Sequence, residues 1–135
     1  MYLSVIIPVY NEEKRIGKTL SSINDYLSKQ NYDSEILVVD NGSTDNTAGV
    51  VRMLEDKIRG LKLLRGSSGQ GKGFAVKKGM LASTGDFRIF TDADNSTSID
   101  QIEKMWPEFE KGFDIVIGSR DIKGAVLNPP QPWLR

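Results

Sequence analysis

The sequence predicts an α/β fold, a mostly parallel sheet with helices on both faces. Three observations carry that reading. Short apolar runs rich in β-branched residues alternate with stretches of helical periodicity. Strands joined through helices pair in parallel, because each crossover returns the chain to the same end of the sheet. Polar residues follow each apolar run, at what would be the carboxyl ends of the strands, where open α/β sheets bind ligands.

Each element has its own justification. LSVIIPV at 3–9 is short, apolar and strand-like. Residues 12–29 carry Ile16, Leu20, Ile23 and Leu27 at helical spacing. ILVV at 36–39 is a continuous apolar run, the mark of a strand buried on both faces. Residues 45–58 read as a helix with Val51, Leu54 and Ile58 on one side, and LKLL at 61–64 as a third strand. Residues 72–83 read as helix despite Gly79, and FRIFT at 87–91 as a fourth strand. Ser98 and Gln101 are spaced as a capping box. A helical stripe of Ile99, Ile102, Trp106 and Phe109 follows, which Pro107 kinks or ends. FDIVI at 113–117 reads as a fifth strand, and the proline-rich tail after Arg120 as a loop.

The chain has 135 residues, which suits one domain. Its 18 basic and 18 acidic residues cancel, so nothing in the charge balance points to nucleic acid. It contains no cysteine and no histidine, which excludes disulfides, thiolate metal sites and imidazole catalysis. Carboxylates, lysine, arginine, hydroxyls and backbone must carry any chemistry. The N-terminus lacks a basic leader and Pro8 breaks its apolar run, so it does not read as a signal peptide. No segment approaches the ~20 apolar residues of a membrane span. A cytoplasmic protein is the expectation.

Five strand ends supply one polar crevice. They are Tyr10-Asn11-Glu12, Asp40 through Asp45, the glycine loop with Lys72, Thr91 through Asn95, and Gly118-Ser119-Arg120-Asp121. Asp92 and Asp94 flank Ala93, and strand alternation would put both carboxylates on one side. Two such charges are costly together without a cation, and hard oxygen donors favour Mg²⁺ or Mn²⁺. A polar turn capping the next helix is the competing reading. Asp40 ends a buried strand and suits a base N–H or ribose hydroxyl, whereas Gly42, Ser43 and Asp45 suit turn and N-cap chemistry. Asn11 suits an N-cap, with Glu12 and Glu13 favourable to the helix dipole; Tyr10 stacking on a base and Glu12 binding ribose are equally open. Arg120 suits a diphosphate, with a salt bridge to Asp121 as the alternative.

The loop GSSGQGKG at 66–73 is one residue short of a P-loop, with Gly73 where Ser or Thr would hold magnesium. A P-loop NTPase is therefore disfavoured. The same glycines permit close backbone approach, and Lys72 at a helix start can meet a phosphate. Alternatively, Gly71 and Gly73 let that helix pack against the sheet.

Taken in order, SVIIPVYNEE, ILVVDNGSTDNT, GKGFAVKKGM, TDADNST and VIGSR resemble the family 2 glycosyltransferases, most closely the dolichyl- or polyprenyl-phosphate glucosyl- and mannosyltransferases. The resemblance implies the Rossmann-like GT-A nucleotide-sugar-binding fold over 1–122. It implies a nucleoside held by Pro8, Tyr10, Glu12 and Asp40. It implies a sugar nucleotide with Mg²⁺ or Mn²⁺ at Asp92, Ala93 and Asp94, and a diphosphate beside Lys72 and Arg120. Asp92, Asp94 and Arg120 become the catalytic set for inverting transfer of a hexose from UDP-glucose or GDP-mannose to a polyprenyl phosphate at a membrane surface, cytoplasmic face. Asn41 departs from the Asp-Asp of many relatives, and Asn95 from the hydrophobic residue or Gly that often follows their Asp-x-Asp. The family continues past Gly-Ser-Arg, so residues 123–135 are expected to begin an acceptor loop whose remainder is absent, leaving the fold truncated at its C-terminus. A non-catalytic nucleotide-sugar-binding or self-associating module (a homo-oligomer covering an open sheet edge) is the second reading.

Overall fold

The computed structural model describes residues 2–66 and 70–119. Its contacts divide the chain into two compact units, Met1–Asp100 and Gln101–Arg135.

The first unit is a four-stranded parallel sheet. β1 (Leu3–Val9), β2 (Ser34–Asp40), β3 (Leu61–Arg65) and β4 (Phe87–Phe90) lie in the order β3-β2-β1-β4. α1 (Ile16–Leu27), α2 (Thr47–Glu55) and α3 (Gly71–Ala82) are the crossovers. The chain steps from β1 outward to β3, then returns to the far side of β1 for β4. Right-handed crossovers therefore place α1 and α2 on one face and α3 on the other. That reversal at β1 is the switch point where a ligand crevice opens.

β1 is buried along its whole length, as its unbroken apolar run requires. Pro8 is tolerated in this central strand for a specific reason. The carbonyl of Ile6 receives the Thr91 amide, so the even positions of β1 face β4, and β4 ends opposite Ile6. The N–H that Pro8 lacks would have faced the carbonyl of Thr91, just past the last paired residue of β4, so Pro8 falls where that pairing stops.

α3 approaches the sheet closely. Ile6, Val39 and Ala75 form a buried cluster with Leu64 and Met80 packed against it. Gly79 makes the approach possible: a Cβ there would lie 2.4 Å from Ile6 Cγ2 and 3.1 Å from Val39 Cγ2. Gly71 and Gly73, the sequence's candidates for this role, have open space where a Cβ would be.

The end of the sheet away from the crevice is tied by a buried carboxylate. Glu35 Oε1 accepts from Ser4 Oγ and the Thr84 amide, both at 2.8 Å, and from Thr84 Oγ1 at 3.0 Å. Glu35 Oε2 pairs with Lys62 Nζ at 3.3 Å. Strands β1, β2 and β3 and the turn before β4 thus meet on one side chain.

Two expectations fail in the remainder. The single helix of 98–109 is instead a 3-10 turn over Ile99–Lys104 followed by α4 (Trp106–Glu110). Pro107 sits in the first turn of α4, where its missing N–H costs nothing, so it opens a helix rather than ending one. Residues 113–119 form no strand, and Phe113, Ile115 and Ile117 are exposed. Alternating β-branched residues express a propensity, which becomes a strand only when a neighbouring edge takes it up.

Candidate functional site

A cavity of about 250 Å³ opens at the switch point, beyond the carboxyl ends of β1, β2 and β4. β1 and its following loop contribute Pro8, Val9, Tyr10 and Glu12; the loop after β2 contributes Asn41; α3 contributes Lys72 and Ala75. The loop after β4 brings Asp92, Ala93 and Asp94. Of the candidate residues read from sequence, Pro8, Tyr10, Glu12, Lys72, Asp92, Ala93 and Asp94 therefore line one cavity. Arg120 and Asp121 lie outside the described residues, as do Ser67, Ser68 and Gly69 of the glycine loop.

Asp40 does not line that cavity. Its carboxylate is buried and accepts the Ser43 amide at 2.8 Å, so it braces the β2–α2 loop while Asn41 faces the cavity.

The loops of β1 and β2 clasp one another. Asn11, at φ 55°, accepts the Thr44 amide on Oδ1 at 2.8 Å, and its own amide donates to Ser43 Oγ at 2.9 Å. The Glu12 amide donates to Thr47 Oγ1 at 2.8 Å, the Glu13 amide to Asp45 Oδ2 at 3.2 Å, and the Asn46 amide to Glu13 Oε2 at 2.9 Å. Asn11 is thus no N-cap, and Glu12 and Glu13 precede the helix, because α1 begins only at Ile16. Asp45 does serve the start of α2, accepting the Thr47 amide at 2.9 Å. Burial pushes the Asp45 carboxyl upward, but the bonds from the Thr47 hydroxyl, the Thr47 amide and the Glu13 amide outweigh it and leave the group below the usual carboxylate range.

The acidic pair arrives by a turn, not by strand alternation, since β4 ends at Phe90. The buried Thr19 hydroxyl of α1 donates to the Ala93 carbonyl at 2.6 Å, anchoring the residue between the two carboxylates. Asp94 Oδ1 accepts the Ser96 amide at 2.9 Å. That bond is the chief reason its carboxyl lies below the usual range; burial opposes it, and the Ser96 hydroxyl and the charge of Arg15 add to it. Asp92 makes an ion pair with Lys72, whose ammonium also lies 6.0 Å from the centroid of the Phe90 ring.

Arg15 was not singled out in the sequence. It grips Glu12 through Nε at 2.6 Å and Nη2 at 2.7 Å. Its guanidinium is raised above its ordinary value first by that hydrogen bonding and then by the Glu12 charge; desolvation opposes the shift, and the Asp94 charge adds to it. The i,i+3 spacing of Glu12 and Arg15 is the signal that would have found it.

The sequence profile described as Glycosyl transferase family 2 matches residues 4–132. The chain belongs to this family. The dolichyl-phosphate beta-glucosyltransferase ALG5D of Trichomonas vaginalis is 36% identical over 132 residues, 90% of this chain and 40% of that protein. The dolichol-phosphate mannosyltransferase of Pyrococcus furiosus is 37% identical over 127 residues, 94% of this chain and 35% of its own length. Among solved structures, the mannosyltransferase PcManGT from Pyrobaculum calidifontis, in complex with GDP-Man and Mn²⁺, aligns with TM-score 0.59 and 34% identity over 68% of this chain and 27% of that one. The fold of this family 2 chain is accordingly the GT-A glycosyltransferase fold. The chain spans about 40% of the length of the curated relatives it matches.

The donor set suits a hard divalent cation. Asp92 and Asp94 present oxygen atoms to the cavity, and the Ser96 amide draws the Asp94 carboxyl below the usual range. Among the described residues no group of three or more Asp or Glu side chains is placed to hold a metal ion. Two carboxylates fit a cation that takes its other ligands from water and a substrate diphosphate, as Mg²⁺ commonly does.

Proposed function

We propose that this chain is the donor-binding part of a metal-dependent, inverting hexosyltransferase that uses a nucleoside-diphosphate sugar, with a polyprenyl (dolichyl) phosphate as acceptor. The observation that carries the reading is the cavity itself, in which Tyr10, Glu12, Lys72, Asp92 and Asp94 converge at the switch point of the sheet. The names of the relatives supply the acceptor class and leave glucose and mannose both open.

In this reading Tyr10, more than half exposed at the mouth, stacks on the base, and Glu12, fixed by Arg15, accepts from the ribose. Asn41 lines the wall that Asp40 braces from behind. Lys72, together with Arg120, meets the diphosphate. Asp92 and Asp94 hold Mg²⁺ or Mn²⁺, which would offset charge on the departing diphosphate. An acceptor phosphate oxygen attacks the anomeric carbon opposite the leaving group. The new C–O bond forms as the bond to the diphosphate oxygen breaks, and configuration inverts. A phosphate monoester, with a second pKa near ~6, is already largely dianionic at neutral pH, so a chain without histidine needs no general base. Among the described residues no helix is long and apolar enough to cross a membrane, and a peripheral position at the cytoplasmic membrane face fits the lipid acceptor.

Asp94→Ala tests the reading. Metal-dependent donor binding should vanish while the circular dichroism spectrum and cooperative unfolding persist; undiminished binding would refute it. A self-associating module is the second reading, favoured by the exposed Leu81, Ile115 and Ile117. A clean monomer in sedimentation equilibrium would dispose of it.

A further inference from the structure

The two carboxylates of the Asp-Ala-Asp turn stand in different states. Asp94 faces the cavity with a backbone amide on one oxygen. Asp92 is already paired with Lys72 across the cavity, from the first turn of α3 to the loop after β4. Both partners are about half exposed, 56% for the lysine and 49% for the aspartate, so the pair sits at the rim, where it exchanges readily with solvent ions. Lys72 is a point charge on a flexible stem, equally suited to a carboxylate or a phosphate oxygen.

We propose that Lys72 is a built-in counter-ion on Asp92 that the divalent cation must displace, and that the donor's diphosphate draws it away, so that cation and nucleotide bind with positive coupling. The inference rests on the nucleotide-sugar reading of the cavity and adds an order to it. With the site empty, the ammonium offsets the charge of Asp92 and competes with a cation arriving alone. When a diphosphate enters, the ammonium gains a second anion, releases Asp92, and leaves the carboxylate facing the cation. Linkage makes the effect reciprocal: the cation strengthens nucleotide binding by the same factor. Lys72 thus acts through Asp92 as a positioning residue.

The test compares the unaltered chain with Lys72→Gln and Lys78→Gln. Lys78 lies on the same helix, and its ammonium bonds the Arg65 carbonyl, away from the cavity. Its replacement removes the same charge without touching Asp92. Mn²⁺ binding is measured by the loss of the free-ion paramagnetic resonance signal, alone and with saturating UDP or GDP, corrected for Mn²⁺–nucleotide complexes. The unaltered chain should show coupling of roughly 5- to 150-fold, the usual range. Lys72→Gln should bind Mn²⁺ alone several-fold more tightly and show smaller coupling, while Lys78→Gln behaves as the unaltered chain. Equal tightening in both variants would reduce the effect to general charge and overturn the inference. So would unchanged affinity and coupling in Lys72→Gln. If neither Mn²⁺ nor nucleotide binds the unaltered chain, the site reading falls, and this inference with it.

Discussion

Arg15 holds both carboxylate oxygens of Glu12, at 2.6 and 2.7 Å, and its charge also reaches Asp94. One cation therefore links the wall from β1 to the acidic turn after β4. Arg15→Ala should weaken nucleotide-sugar affinity by up to about fivefold, the scale of an exposed ion pair. Its melting temperature should barely move, because the side chain is largely exposed. Arg15→Lys keeps the charge but loses the fork, and should recover only part of the affinity. Equilibrium titration of the three proteins checks this; wild-type affinity in Arg15→Ala would dismiss the linkage.

Thr19 ties α1 to the acidic turn through its hydroxyl on the Ala93 carbonyl. Thr19→Val keeps the shape and removes the donor, leaving a buried carbonyl without its partner. The cost should be about 1–3 kcal/mol in urea unfolding, and Mn²⁺ affinity should fall because Asp92 and Asp94 lose their shared anchor. Full stability in Thr19→Val would mean that water or a backbone shift replaces the bond.

Glu35 sets a pH dependence. Burial pushes its carboxyl upward, but bonds from the Thr84 amide, the Ser4 and Thr84 hydroxyls and Lys62 together carry it below its ordinary value of 4.5. A depressed folded-state pKa means that the stabilisation is fully present above the unfolded value and is lost as pH falls through the folded one. Melting temperature should therefore fall below about pH 4.5, and Glu35→Gln should flatten part of that fall. A parallel decline in both proteins would assign the loss to other carboxylates, Asp45 and Asp94 among them, which are also depressed.

Much of this was legible in the sequence, for identifiable reasons. β1 and β2 are buried on both faces, so their apolar runs are unbroken and their ends are marked by Tyr10 and Asp40. The crevice was legible because parallel strands put every carboxyl end on one side. What escaped depended on contacts between distant residues. The start of α1 slips from residue 12 to Ile16 because Asn11 and the amides of Glu12 and Glu13 are committed to the β2–α2 loop. Asp40 is marked by its place at a strand end, but the bond that its Oδ1 accepts from the Ser43 amide is a loop contact that the strand pattern does not show. Residues 113–117 read as a strand because propensity is local, whereas pairing is not.

The proposed cavity ligand is a nucleoside-diphosphate sugar with a divalent cation. Thermal unfolding with a panel of UDP- and GDP-sugars and ATP, each with Mn²⁺ and with EDTA, tests it most directly. A ligand at a hundred times its Kd should add about 2.7 kcal/mol of stability. The melting temperature should rise with one class of nucleotide sugar, in Mn²⁺ and not in EDTA. A rise with ATP alone, or none with any sugar nucleotide, would contradict it.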